Sequence, residues 1–324
     1  MRAGGTAPGG SAGEPTRDSR ARRLSLAVDG DYDPAHAVGL LAAHSVPGAE
    51  LTDVAASTHS RVVDLGGAGD GVAGVGRAAR LGRLDVHFGP DVVEVDVVPA
   101  DGVDLGPADL DRAAALARRW LDLDGDTGAV QAALGADPVL GPLVRARPGI
   151  RVTGSPDGFE TAVMTVLGQQ VSLAAARTFT GRLVAAHGVD VPGTGLRRFP
   201  RAEALAAVDV DELRAAVGVT NARARTLSAL ATVVADGLVI SPDVDLADAR
   251  RRLLAVPGIG PWTVEYLAVR ALADRDAWPA GDLVLRRVLG GATTKEAEAA
   301  SAPWSPFRAY ALFHLWAAVL PTAP

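Results

Sequence analysis

The chain of 324 residues has no cysteine, which excludes structural disulfides, Cys-ligated zinc, iron–sulfur clusters and thiol catalysis at once. Lysine is nearly as scarce, since of 32 basic residues only Lys295 is one. Aromatic residues make up 4%, so each tryptophan and tyrosine carries weight. No apolar run reaches membrane-spanning length, because Asp236 and His314 interrupt the best candidates. Met1 to Thr16 lacks the apolar core of a signal peptide. A soluble, cytoplasmic protein is therefore expected, with no membrane contact. The six histidines show no paired spacing of the kind that ligates zinc, and no side-chain metal site is expected either.

What is present suits a packed globule of two or three domains, with 48% hydrophobic and 22% charged residues. The net charge of −6 is unevenly placed. Residues 1–104 hold nine Lys+Arg against fifteen Asp+Glu, whereas residues 105–324 hold 23 of each. The larger part is thus neutral and free to segregate charge onto faces.

Residues 1–21, rich in Gly, Ala, Pro and Ser, read as a disordered tail. Leu24–Val28 is a short alternating run, and Pro34 after Asp33 is a helix start that opens an amphipathic stretch to Val46. Short runs follow around Leu51–Ala55, Arg61–Leu65, Leu84–Phe88 and Val92–Val98, spaced as in an antiparallel meander. Glu94 and Asp96 interrupt the last run and imply one wet face. Residues 22–104 therefore read as a small α+β domain. From Pro107 the period becomes helical, and residues 105–324 read as an all-helical domain with His187–Pro200 as a Gly/Pro-rich loop. Asp122, Asp124, Gly125 and Asp126 lack the glutamate of a calcium loop and read as a solvated linker. Gly66–Gly76 lacks the Lys-Ser/Thr of a phosphate-binding loop and reads as a strand turn.

The sharpest motif is Val256-Pro257-Gly258-Ile259-Gly260-Pro261-Trp262-Thr263 between two helical stretches. Two glycines let the backbone turn tightly and let a phosphate approach its N–H groups, and the following helix adds its dipole. Ile259 would pack inward and pin the turn. The same residues are compatible with an ordinary αα-connection capped by glycine. Downstream, Pro279-Ala280-Gly281-Asp282 precedes a helical run. Asp282 reads as an N-cap, and a chain that folds back brings its carboxylate toward the turn, 22 residues after Gly260.

These paired motifs resemble the helix-hairpin-helix DNA glycosylases, and within them the 3-methyladenine DNA glycosylase II branch. Val166-Leu167-Gly168-Gln169-Gln170 is similar to the segment with which that family enters DNA, and Phe307 to Trp316 to its closing helix. The resemblance spans about residues 22 to 320 and implies a TATA-binding-protein-like sheet domain before the helical one. It implies that Asp282 is the catalytic aspartate, that Trp262, Tyr266 and Trp316 line a base pocket, and that Gln170 fills the gap left by a flipped nucleotide. Leu40 and Leu283 stand where the branch can carry an aromatic residue. Gln169, Pro257, Gly258, Ile259, Gly260 and Thr263 fall on its DNA-contacting motifs. It further implies a monovalent cation, Na+ or K+, on hairpin carbonyls near Val256 and Gly258, and no other cofactor.

The expected activity is monofunctional hydrolysis of the N-glycosidic bond of alkylated purines in double-stranded DNA, by a monomer. Electron-rich rings attract a cationic base by about 0.5–2 kcal/mol per contact. Family members that also cleave the strand carry a lysine just after the hairpin, where this chain has Trp262. The alternatives are a catalytically silent hairpin module that binds damaged or abasic DNA, and simple core packing for the aromatic residues.

Overall fold

A computed structural model gives the fold and describes residues 18–66 and 79–319. Most of the N-terminal tail and of Gly66–Gly76 lies outside the described residues. The first region alternates as the sequence suggests: β1 (Arg22–Ala27), α1 (Pro34–His44), β2 (Glu50–Asp53), β3 (Thr58–Asp64), β4 (Leu81–Phe88) and β5 (Val92–Pro99). The sheet is antiparallel in the order β1-β5-β4-β3-β2, so β2 to β5 form a meander and β1 closes its far edge. Helix α1 begins where Pro34 fixes the first turn, and Asp33 caps it by accepting from His36 N at 2.8 Å.

Leu84, Val86 and Phe88 of β4 and Val93, Val95 and Val97 of β5 put every second side chain on one face. Ala37, Val38 and Leu41 of α1 cover that face together with Ala113, Ala117, Trp120 and Leu121 of α2 (Pro107–Leu121). Helix α2 thus packs on the sheet, and the sheet's core extends past residue 104. The opposite face is less wet than expected. Asp96 is buried there and pairs with Arg23 at 2.5 Å and His87 at 3.3 Å. Val62 and Ala100 meet Val191 and Leu196 of a two-stranded hairpin, β6 (Val189–Val191) and β7 (Leu196–Arg198). His187–Pro200 is therefore a small hairpin that covers part of the sheet, not a plain loop. Its strands are too short to show alternation.

The rest is helical: α3 (Thr127–Leu134), α4 (Leu140–Ala146), α5 (Gly158–Gly168), α6 (Leu173–His187), α7 (Ala202–Ala206), α8 (Val210–Val217) and α9 (Asn221–Ala235) come first. Then follow α10 (Leu246–Leu254), α11 (Pro261–Arg270), α12 (Leu283–Val288), α13 (Thr294–Ser301) and α14 (Arg308–Ala317). None of the described helices is long and apolar enough to cross a membrane.

Two polar clusters lock the regions together. Arg61 of β3 donates to Glu50 of β2 at 2.7 Å and to Glu160 of α5 at 2.6 Å, all three buried. Arg151, also buried, donates to the carbonyls of Asp31 and Asp29 before α1 and of Asp122 and Gly125 after α2. Asp122 is not a solvated linker residue. Its carboxylate accepts from Tyr310 Oη at 2.7 Å, Arg275 at 2.5 Å and Val152 N at 3.2 Å, so α14 is tied to the sheet side. Removal from water pushes the Asp122 carboxyl above its ordinary range, against the pull of Arg275.

Candidate active site

Helix α10 ends at Leu254, the backbone turns through Val256–Gly260, and Pro261 opens α11 with its fixed φ. Gly258 sits at φ +88, and a Cβ there would lie 2.1 Å from Thr226 Oγ1 of α9, so only glycine fits. Ile259 is buried and pins the hairpin, as its place between the glycines suggests. Pro257 and Gly258 are exposed. No side chain caps α11, which leaves its first N–H groups open to an outside acceptor.

Gln169, at the end of α5, reaches across the hairpin. Its Nε2 donates to Gly258 O and to Thr263 Oγ1, both at 3.1 Å. Arg223 of α9 donates to Gln169 O. Thr263 is 2% exposed. These two expected DNA contacts therefore brace the hairpin from within, because each satisfies the other's polar atoms. Gln170 behaves differently, standing exposed with φ +55 in the turn before α6. A non-glycine residue in that conformation is held there at a local cost and aims its side chain outward.

Asp282 caps α12, accepting from Leu285 N at 2.8 Å. Two indoles converge on the same carboxylate. Trp316 Nε1 of α14 donates to Oδ1 at 3.1 Å, and Trp262 Nε1 of α11 donates to Oδ2 at 3.2 Å. Each carboxylate oxygen can accept about two hydrogen bonds. Oδ1 is then filled, and Oδ2 keeps a free acceptor position. The carboxylate is fixed in direction by three N–H groups from three helices, with one oxygen left for an outside partner.

The aromatic residues line up behind it. The Trp262 and Tyr266 ring centroids are 5.5 Å apart, Tyr266 and Trp316 6.0 Å, and Trp316 and Phe313 5.4 Å. Arg270, one turn on from Tyr266, places its guanidinium carbon 5.9 Å from that ring and donates to Tyr266 Oη at 3.3 Å. The remaining late tryptophans, Trp278 and Trp304, pack edge to face at 5.4 Å and donate to Ala297 O and Asp137, which makes them core residues.

A cavity of about 250 Å3 lies between α5, α6, α11 and α1, with Arg177 of α6 in its lining. Trp262, Tyr266 and Arg270 wall one side, Glu160, Thr161 and Met164 another, and Leu41 and His44 close it with Arg61 and Trp120. Leu40, expected in this wall, is buried in the core, because helix geometry turns its neighbour Leu41 to the cavity instead. Trp316 and Asp282 do not line the cavity but join it through Tyr266 and Trp262. Leu283 is 70% exposed beside Asp282. His44, Glu160, Arg61 and Arg270 carry no local motif and escape sequence reading. Desolvation, reinforced by Arg270, lowers His44 to about 4. Burial raises Glu160 to about 7, since Glu50 and Glu160 share the single Arg61.

Among the described residues no cluster of His, Asp or Glu could hold a metal ion. The hairpin carbonyls are a different donor set. Val256 O accepts from Ile259 N at 3.0 Å and Gly258 O from Gln169 Nε2, and each keeps a second lone pair. Neutral carbonyl oxygens of this kind suit a weakly held monovalent cation.

Known proteins resemble the chain in both parts. A family model described as "AlkA N-terminal domain" matches residues 23–157, and one described as "HhH-GPD superfamily base excision DNA repair protein" matches residues 163–299. A "Probable bifunctional transcriptional activator/DNA repair enzyme AlkA" of Mycobacterium tuberculosis is 47% identical over 216 residues, which cover 64% of this chain and 43% of that protein. The match thus spans less than half the length of that relative. A "DNA-3-methyladenine glycosylase" of Bacillus subtilis is 32% identical over 209 residues, 61% of this chain and 69% of that protein. The solved structure of a 3-methyladenine DNA glycosylase from Archaeoglobus fulgidus has the same fold, with a TM-score of 0.76 and 18% identity over 91% of this chain and 97% of that one. On these grounds the chain belongs to the AlkA-type DNA-3-methyladenine glycosylase family of the HhH-GPD superfamily.

Proposed function

We propose that the protein is a monofunctional DNA glycosylase that removes alkylated purines, 3-methyladenine and 7-methylguanine among them, from double-stranded DNA. The observation that carries this reading is the convergence of the Trp262 and Trp316 indoles and the α12 N-terminus on Asp282, beside an aromatic-walled cavity. The hairpin would hold a phosphate at the N–H groups of Gly258, Gly260 and the start of α11, a contact that needs no lysine. The target nucleotide would turn out of the stack, and Gln170 would occupy its place.

With the base against Trp262 and Tyr266, the sugar faces Oδ2 of Asp282. As the C1′–N bond breaks, the base leaves with the bonding pair and an N-alkylated, cationic purine becomes neutral. Positive charge moves to the sugar, where the carboxylate stabilises it more than it stabilises the ground state. Water then adds to C1′ and gives up a proton, with Oδ2 as the nearest acceptor. No lysine stands beside the hairpin, and Lys295 lies on α13, so the strand stays intact. The protein would act as a monomer.

Incubation with methylated duplex DNA, followed by chromatography of the released bases, tests the reading. Wild type releases 3-methyladenine or 7-methylguanine and Asp282→Asn does not. An active Asn variant would sink the mechanism. Binding of abasic DNA without base release by wild type would make the chain a silent binding module.

A further inference from the structure

The cavity extends beyond what the aromatic wall requires. Helices α5 and α11 lie antiparallel along it. Gln169, at the end of α5, bonds Thr263 at the start of α11, whereas Arg270, at the end of α11, donates to Gly154 O just before α5. Trp262 stands at the outer end, and Glu160 at the inner end lies about 12 Å along α5 from Gly168. A base resting on Trp262 and Tyr266 therefore points its far edge at the residues of the inner end.

Two of those residues hold a lone pair free. His44 Nδ1 lies 2.9 Å from the carbonyl of Leu40. A carbonyl only accepts, so Nδ1 carries the proton and Nε2 of the neutral ring is an acceptor. Among the described residues Nε2 has no hydrogen-bond partner, and it is not sealed from open space. The ring is neutral at physiological pH because burial and the adjacent Arg270 hold it at about 4. Glu160 in its ionised form, which predominates above about pH 7, shows the same pattern. Its Oε2 accepts from Arg61, while Oε1 has no partner among the described residues and also keeps access to open space. Fully buried and unsatisfied acceptors would be costly, whereas these two open on a cavity that an N–H donor can enter.

We infer that His44 Nε2 and Glu160 Oε1 form an acceptor pair that reads the N–H donor edge of an alkylated aminopurine, and so determine specificity within the cavity. This inference rests on the glycosylase reading and deepens it. The aromatic wall responds to the charge and area of the base. The acceptor pair responds to its exocyclic amine, and a base without that amine has fewer N–H donors on that edge and leaves one lone pair unmet inside the cavity.

The test compares two lesions that share the N7 methyl group, each rate being divided by that lesion's spontaneous release rate from the same duplex. 7-Methylguanine carries a 2-amino group and 7-methylhypoxanthine does not. Single-turnover release of each is measured from otherwise identical duplexes. Wild type is expected to favour 7-methylguanine by about tenfold, the size of one good hydrogen bond. His44→Phe, which keeps a planar ring and removes the acceptor, is expected to reduce that preference at least threefold. Glu160→Gln, which keeps the shape and removes the charge, is the second variant should the first fail to fold, and it is expected to shift the preference the same way. Equal rates for the two lesions in wild type, or a preference unchanged in the folded variants, would overturn the acceptor pair and leave the glycosylase reading standing. Release of neither lesion by wild type would overturn both.

Discussion

Around Asp282 every contact comes from one stretch of chain. Trp262, Leu285 and Trp316 lie on three successive parts of it, and the hairpin immediately precedes them. The inner end of the cavity is gathered from afar instead, with His44 from α1, Glu50 and Arg61 from β2 and β3, Glu160 from α5 and Arg270 from α11. The first group brings donors to a single carboxylate. The second joins the sheet to the helices through the buried ion pairs of Arg61 with Glu50 and Glu160. The donors that fix Asp282 thus come from a local unit, while the cavity's inner walls and the locking of the two regions depend on long-range packing.

The sharpest way to break that comparison is Arg61→Met. It leaves Glu50 and Glu160 buried without their shared cation, and a loss of about 3–5 kcal/mol of stability is expected. Chemical denaturation measures it. A loss below about 1 kcal/mol would mean that this triad does not lock the sheet to α5.

Acid should act on the same long-range side. Burial lowers His36, His44 and His314 to about 4 and His59 to about 3. A folded-state value below the ordinary 6.5 means that the unfolded chain binds protons first. The stability these groups contribute is whole above pH 6.5 and drains as pH falls through about 4. His314→Phe should flatten this acid limb by about 3 kcal/mol. Glu160 has the opposite sign. Its raised value gives a contribution that is full below its ordinary range and lost as pH rises through about 7. The two windows overlap, so melting temperatures from pH 4 to pH 8 of wild type, His314→Phe and Glu160→Gln are compared to separate them.

The hairpin offers a smaller effect. Gly258→Ala meets both the φ of +88 and Thr226, and about 2 kcal/mol of destabilisation is expected with weaker binding of abasic DNA. Smallest is Trp316→Phe, which removes one of three donors to Asp282 and keeps the ring. Base release should slow about tenfold, close to 1.4 kcal/mol, with little change in melting. An unchanged rate would show that the indole only fills space.

Much of this was legible in the residue order where the signal was local. Pro34 after Asp33, the alternating valines of β5, the hairpin glycines and the Asp282 cap each follow from residue type and spacing. The aromatic wall was legible as a group of rings. The direction of two indole N–H groups was not, because it depends on how α11 and α14 pack around α12. Asp122 looked like part of an acidic linker, since its partners Tyr310 and Arg275 lie more than 150 residues away. Leu40 and Leu41 differ by one helix position, too fine a rotation for sequence spacing to resolve. His44 and Glu160 looked like unremarkable members of helices until a cavity joined them.

The most direct test of the central claim is the single-turnover rate of 7-methylguanine release by Asp282→Asn, taken with its melting temperature and its affinity for abasic DNA. Asparagine is as good an N-cap as aspartate, so α12 and the fold should survive. The account predicts a melting temperature and affinity near wild type and a rate reduced at least a hundredfold. A rate within threefold of wild type in the folded variant would contradict it.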